Sequence, residues 1–217
     1  MLYSRTPMKI PLIAALTVAS LVCASSAWAA PYVILKQDNR RIDAQTISGS
    51  PTGDVTVIDT AGSKFTFKRD QIANLYVDPP ADWNSAKQKA AAGQLDAALA
   101  DCTKVILGNA GLGYDTMAGD LAIQILLRQK KNDEAAKLAE RVIRSNAAAL
   151  SSSPAFQAAY WRTLLATGKT AQLAEMLDKA IQGGSREDAA RAQIVRGDLR
   201  LAENKNKEAV LDYLRTA

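Results

Sequence analysis

Between residues 31 and 78, apolar and polar residues alternate in five short segments, a pattern typical of half-buried β-strands. In the segments VTVIDT and KFTFK, apolar side chains recur at every second position, at Val55 and Val57 and then at Phe65 and Phe67. Turn-forming sequences such as SGSPTGD and AGS separate the segments. The pattern predicts a small five-stranded β module, folded as a meander that closes into a barrel.

After residue 83, apolar positions recur every three or four residues, which predicts amphipathic helices. The helices come in pairs around short turns, which are separated by 37, 38 and 36 residues. The turn positions are Gly93, Lys130, Gly168 and Asn204. The resulting helix-turn-helix units cover residues 83–107, 115–145, 154–182 and 187–217, and a linker over residues 79–82 joins them to the β module. The sequence therefore predicts a mainly α protein with a small all-β N-terminal module.

Turn and cap residues predict how the helices are connected. The segment GNAGLG, residues 108–113, contains three glycines and is expected to be a flexible connection. Ser153 followed by Pro154 is typical of a helix start, and Ser185 followed by Asp188 has the spacing of a capping box. These signals predict where two of the later helices begin.

The N-terminal residues 1–29 have the pattern of a secretory signal peptide. Arg5 and Lys9 precede the apolar run IPLIAALTVASLVCA, and Ala27 and Ala29 have the A-x-A spacing that signal peptidase accepts. We expect cleavage after Ala29 or Ala30. The mature protein is then expected in the periplasm or secreted, without stable membrane insertion.

The amino-acid composition excludes several kinds of active site. The chain contains no histidine, which excludes catalytic triads with a histidine base and histidine ligands for zinc or haem. Without the signal peptide, 25 basic and 22 acidic residues remain, and this mild balance does not indicate nucleic-acid binding. Cys102 would be the single remaining cysteine, on an apolar helical stripe where a buried structural thiol is expected. No catalytic residue, metal site or cofactor is predicted.

The paired helices resemble the tetratricopeptide repeat. The fourth unit carries the resemblance best, with Gly197 at the small position of the first helix, Ala209 twelve residues later and Tyr213 at the aromatic position. The other units keep the spacing with other residues, namely Ala86, Ala98 and Cys102, then Ile123, Ala135 and Ala139, and then Trp161 and Leu173. The resemblance implies a right-handed superhelix of about four units. The β module resembles the small SH3-like or Sm-like barrels through its strand, its polar turn with Arg40 and Arg41, and its second strand.

The tetratricopeptide resemblance also implies a binding surface. In that family the first helices of the units line a concave groove that commonly takes an extended peptide. The matching groove positions in this chain are Lys87, Gln124, Arg128, Arg162, Arg191 and Asp198. This weakly basic surface suits an acidic segment or a free C-terminal carboxylate, because an arginine fork matches a carboxylate. The alternative is that these residues form ordinary solvated helix faces.

The sequence thus favours an exported, non-enzymatic module that binds or scaffolds a partner protein. The last helix supports an alternative, since Val210, Leu211 and Leu214 leave it apolar without a polar terminal face. This end is expected to be exposed and to serve as an association surface of a homo-oligomer. A third hypothesis, an enzyme that uses carboxylates alone, has no supporting motif.

Overall fold

The computed structural model describes residues 30–50 and 52–216, so the predicted signal peptide lies outside the described residues. Five strands come first: β1 (Tyr32–Leu35), β2 (Arg41–Gly49), β3 (Asp54–Asp59), β4 (Lys64–Lys68) and β5 (Ile72–Tyr76). Nine helices follow in the described part of the chain: α1 (Ala81–Ala91), α2 (Leu95–Gly108), α3 (Tyr114–Arg128), α4 (Asn132–Ser145), α5 (Ala149–Ser152), α6 (Pro154–Ala166), α7 (Thr170–Gly183), α8 (Arg186–Ala202) and α9 (Asn206–Leu214). The prediction of a mainly α chain with a small N-terminal β module is confirmed.

The β module is a single antiparallel sheet in which one pairing of the predicted closed meander is missing from the described strands. Strands β1 to β4 follow one another as a meander and β5 pairs with β1, as closure requires, but β5 does not pair with β4, which gives the order β4-β3-β2-β1-β5. Strands β4 and β5 are therefore the two edges of the sheet. One turn of 3-10 helix, Arg69–Gln71, joins these edges.

One face of the sheet forms the core of the β module. Val33, Val55 and Val57 are fully buried, as the alternation of apolar residues predicts. Phe65 is paired with Val57 and Phe67 with Val55, so both rings lie on the same face, but Phe65 on edge strand β4 remains 38% exposed and stacks on Phe67 with ring centres 6.2 Å apart. The predicted Phe65/Phe67 face is thus only partly covered.

The helical part repeats one type of hairpin four times. The predicted turn residues all have a left-handed backbone, with φ of 76° at Gly93, 58° at Lys130, 72° at Gly168 and 62° at Asn204. In each hairpin the next amide N–H donates to the carbonyl five residues earlier, as in Gln94 to Lys89 at 2.9 Å. This bond belongs to the Schellman motif, which ends a helix through a left-handed residue. The hairpins are therefore alike in backbone hydrogen bonding although their turn residues differ.

The turn residue decides how much strain each hairpin carries. Replacing Lys130 by glycine should raise the free energy of unfolding by about 0.5–1 kcal/mol, because glycine adopts positive φ without the Cβ clash. The opposite change, Gly168→Ala, should lower it, since a Cβ there meets no neighbouring atom within 4 Å and only the backbone is strained. Urea unfolding of both variants measures the difference, and a less stable Lys130→Gly variant would contradict the expectation.

Three inward positions with a constant spacing close each hairpin. The second position lies 12 residues and the third 16 residues after the first, as in Gly197, Ala209 and Tyr213. The corresponding residues of the other pairs are all buried, namely Ala86, Ala98 and Cys102, then Ile123, Ala135 and Ala139, then Trp161, Leu173 and Leu177. A Cβ on Gly197 would overlap the ring of Tyr213, so this pair depends on glycine for its close approach.

The helices also show two differences from the predicted boundaries. Helix α1 begins at Ala81, directly after Pro80, so residues 81 and 82 are helical and do not belong to the linker. The connection from α4 to α6 contains the short helix α5, which the sequence pattern did not predict. The predicted caps are present, because Ser153 accepts from the Phe156 N–H and Ser185 forms a capping box with Asp188. None of the helices in the described residues is both long and apolar enough to span a bilayer.

The segment predicted to be a flexible connection instead packs the β module against the helices. Ala110 and Leu112 are buried, and Leu112 joins the apolar cluster of the sheet. The end of β2 lies against this segment so closely that a Cβ on Gly49 would overlap the carbonyl oxygen of Ala110. The three glycines of residues 108–113 thus serve close backbone packing as well as chain reversal.

A buried carboxylate holds this segment in place. Asp115 accepts hydrogen bonds from the N–H groups of Gly111 at 3.0 Å and Gly113 at 3.1 Å, and from the side-chain amide of Asn146 at 3.0 Å. The first two groups lie between α2 and α3, whereas Asn146 lies between α4 and α5. Asp115 therefore joins two successive inter-helix connections.

Candidate functional site

The predicted groove residues lie on the first helices of the four pairs, α1, α3, α6 and α8. Helix α3 packs against α6, and α6 packs against α8, so the faces of these helices adjoin one another. Four of the predicted residues directly follow the inward residue of their helix. They are Lys87, Gln124, Arg162 and Asp198. The two other predicted residues, Arg128 and Arg191, lie on α3 and α8.

Three of the six residues are exposed cations without an ion-pair partner in the described part of the chain. These are Lys87, Arg128 and Arg162. The ammonium nitrogen of Lys87 lies 5.4 Å from the ring centre of Trp83, which is within range of a cation–π interaction. All three cations are therefore accessible to an anionic group.

The other three predicted residues are engaged within the protein. The guanidinium of Arg191 lies 2.6 Å from Asp188 and 3.7 Å from Glu187. Asp198 accepts a hydrogen bond of 2.7 Å from the hydroxyl of Tyr213, and burial together with this carboxylate raises the pKa of Tyr213 to about 12. Gln124 donates to Asp120 at 2.8 Å. Arg191 thus contacts the carboxylates at the start of α8, and Asp198 connects α8 to α9. The accessible charge of the surface comes from Lys87, Arg128 and Arg162.

Exposed apolar residues accompany these cations on the first helices. Met117 is 47% exposed on α3, and Ile194 and Leu201 are also exposed on α8. Met117 occupies the register position of Arg191, six residues before the inward residue, and Ile194 and Leu201 lie four residues before and three residues after Asp198, on the same face of α8. A surface that combines such side chains with arginines suits a peptide with both apolar and acidic groups.

The predicted association surface lies on the outward face of α9. Val210 is 53% exposed, Leu211 is 52% exposed and Leu214 is 66% exposed. Ala209 is buried and Tyr213 packs on Gly197, so the inward face of the same helix is occupied. More than half of the surface of each of the three apolar residues is therefore exposed.

The equivalent positions of the earlier helix pairs are mostly polar. The residues that correspond to Leu211 are Ala100, Lys137 and Glu175. The residues that correspond to Leu214 are Thr103, Glu140 and Asp178. The fourth pair therefore places leucines where the other pairs place small, hydroxyl or charged side chains.

Asp101 in the first helix pair and Asp212 in the last pair occupy the same register position, and both carboxylates are buried. Asp101 accepts from Ser85 at 2.7 Å and from the ammonium groups of Lys89 at 2.5 Å and Lys104 at 3.3 Å. The hydrogen bond from Lys89, supported by the one from Ser85, holds the pKa of Asp101 well below its usual range. Ser85 and the two lysines are thus structural partners of this carboxylate.

The lowered pKa of Asp101 predicts a pH-dependent contribution to stability. A carboxyl group whose pKa is depressed in the folded state stabilises the fold above its unfolded pKa of about 3.9, and this contribution is lost as the pH falls. We therefore expect Asp101→Asn to be less stable than the parent chain at pH 7, with the difference shrinking below about pH 4. Unfolding curves at several pH values measure this, and a difference that is constant with pH would contradict it.

Cys102 and the aromatic side chains of α6 are part of the helical core. Cys102 has no exposed surface, and desolvation together with the charge of Asp101 raises the pKa of its thiol to about 11. Phe156, Tyr160 and Trp161 are buried on α6, in agreement with their helical spacing. These groups therefore hold the helices together and do not form a ligand platform.

Comparison of the chain with protein-family models, with curated proteins and with solved structures gives no match.

Proposed function

We propose that this chain is a non-enzymatic interaction module of the cell envelope that holds an acidic segment of a partner protein. The helix pairs would form a tetratricopeptide-like right-handed superhelix, and the first helices would line its concave face. The repeated hairpin geometry and the constant spacing of inward residues support this proposal. The β module would be an SH3-like accessory unit, for which the return of β5 to β1 is the supporting observation.

The observation that carries the binding proposal is the pair Arg128 and Arg162. Both guanidinium groups are exposed, and they lie on the neighbouring helices α3 and α6. An arginine without a carboxylate partner offers a planar fork of donors that matches a carboxylate of another molecule. Lys87 on α1 would extend the same basic surface toward the first helix pair.

A comparison of two matched double variants tests this proposal. Recovery of partner proteins from a cell-envelope extract should fall with Arg128→Ala/Arg162→Ala and stay unchanged with Lys137→Ala/Arg186→Ala. The second pair removes the same charge from exposed positions elsewhere on the helices. Equal recovery by both variants would contradict the binding assignment, and chemical crosslinking in cells would identify the recovered proteins.

Self-association through α9 is the second candidate function. It is supported by the leucines at positions that are polar in the other helix pairs. Sedimentation velocity of the purified chain should show dimers or larger assemblies that Leu211→Glu/Leu214→Glu converts to monomers. Leu107→Glu, at an equally exposed leucine of α2, is the control and should leave the assemblies intact. A parent chain that sediments as a monomer at tens of micromolar would exclude this candidate.

A further inference from the structure

A cleft of about 620 Å³ lies between the β module and the helices. On the β side it is lined by residues around the 3-10 turn, which joins edge strands β4 and β5 along the chain. On the helical side it is lined by residues 144–148, which connect α4 to α5. The volume is within the range of sites that bind small molecules or short peptide segments.

Four basic side chains line this cleft, and they outnumber the acidic ones. The bases are Lys36, Lys68, Arg69 and Arg144, and the acids are Asp54 and Asp70. None of the six makes an ion pair with another described residue, whereas bases elsewhere in the chain are often paired. Asp54 accepts a hydrogen bond of 3.0 Å from the hydroxyl of Thr52. The cleft thus has a positive excess of two charges that the protein itself does not neutralise.

The backbone around the cleft favours an extended ligand. Strand β5 is paired on one side only, and its exposed residue Ala73 lines the cleft, whereas the carbonyl of the buried Ile72 already accepts a hydrogen bond of 3.1 Å from Arg69. An edge strand offers main-chain donors and acceptors to an added strand. Ala147 and Ala148 contribute apolar surface on the opposite wall. Positive charge, apolar lining and a sheet edge together match an extended peptide with acidic side chains.

The geometry points to this cleft as a second binding site, which takes an extended acidic segment of a partner protein. It is separate from the surface of Arg128 and Arg162, since none of the proposed groove residues lines it. Lys68 lines the cleft from the β module and Arg144 lines it from the helices. The ligand would therefore contact both parts of the chain at once.

Binding of a short fluorescein-labelled peptide of alternating glutamate and valine to the full chain tests this inference. Three double variants each remove two positive charges: Lys68→Gln/Arg144→Gln in the cleft, Arg128→Gln/Arg162→Gln on the first helices, and Lys137→Gln/Arg186→Gln elsewhere. We expect the cleft variant to weaken binding by about tenfold and the third variant to leave it unchanged. A matching glutamine–valine peptide should bind weakly to the parent chain.

The outcomes separate this site from the function proposed above. Weakening by the first-helix variant alone would overturn the cleft and support the groove, whereas weakening by the cleft variant alone would support the cleft. Equal weakening by all three variants would overturn it, since binding would then follow net charge. Full displacement of the peptide by low concentrations of inorganic phosphate would also overturn it, because the site would then be one for small anions.

Discussion

Replacing Asp115 by alanine should lower the free energy of unfolding by about 3 kcal/mol, because two buried donors and one partly buried donor lose their acceptor. The N–H groups of Gly111 and Gly113 and the amide of Asn146 all donate to this fully buried carboxylate. Because the segment they belong to packs against the sheet, contacts between the β module and the helices should weaken as well. Urea unfolding measures the first effect, and hydrogen exchange at residues 108–113 measures the second.

Asp120→Ala is the matched control for Asp115, because it removes a carboxylate from the same helix. Asp120 is partly exposed and accepts from Gln124 at 2.8 Å, so its loss should cost less than about 0.5 kcal/mol. Similar losses for the two variants would show that Asp115 does not act through its buried hydrogen bonds. Asp115→Asn should also be destabilised, since its amide nitrogen would face groups that are themselves donors.

Replacing Asp212 by alanine should lower the free energy of unfolding by about 3–5 kcal/mol, because it leaves arginines without their buried partner. Asp212 has no exposed side-chain surface and lies 2.8 Å from Arg196, 2.8 Å from Arg200 and 3.7 Å from Arg215. Arg196 and Arg200 belong to α8, whereas Asp212 belongs to α9. The loss should therefore release α9 first, which circular dichroism and limited proteolysis at the C-terminal end would detect.

Asp178→Ala provides an internal comparison for Asp212 because it removes the other carboxylate that Arg196 contacts. Asp178 lies 3.1 Å from Arg196, but its side chain is 56% exposed. Water screens an exposed pair, so this change should cost less than about 1 kcal/mol. If both variants lost equal stability, burial of Asp212 would not be the source of its effect.

The local features of the fold could be predicted from the sequence because they depend on nearby residues. Gly93 and Gly168 indicate left-handed turns directly, and Lys130 and Asn204 do so through their spacing from those glycines. The resemblance to the tetratricopeptide repeat is what indicated that Gly197 lies near Ala209 and Tyr213. In the β module, the alternation around Val55 and Val57 predicted both a strand and its buried face.

The features that depend on distant parts of the chain could not be predicted in this way. The glycines of residues 108–113 permit many conformations, and only contact with the sheet selects the one that buries Ala110 and Leu112. Strands β4 and β5 follow each other in sequence but lie at opposite edges of the sheet, which periodicity does not encode. Short α5 has neither the length nor the apolar stripe that marks a helix.

For the candidate site, the sequence identified exposed cations but not their internal partners. Arg128, Arg162 and Arg191 are equivalent in an amphipathic pattern, yet Arg191 lies beside Asp188 and Glu187 at a helix start. The cleft lined by Lys68 and Arg144 was not predicted. One of its walls comes from the β module and the other from the helices, and the sequence pattern does not show how these two parts pack together. No sequence signal marks the two residues, because Lys68 lies opposite Asp54 across β4 and β3 and Arg144 follows Glu140 by four residues in α4.

The β module links two successive connections of the helical part. It contacts residues 110–112, between the first two helix pairs, and Ser145, at the end of the second pair, through Gly49 and Gly53. In a stack of helix pairs, curvature arises from the small rotation between one pair and the next. We therefore expect contacts from one sheet to both connections to restrict the rotation between the first two helix pairs.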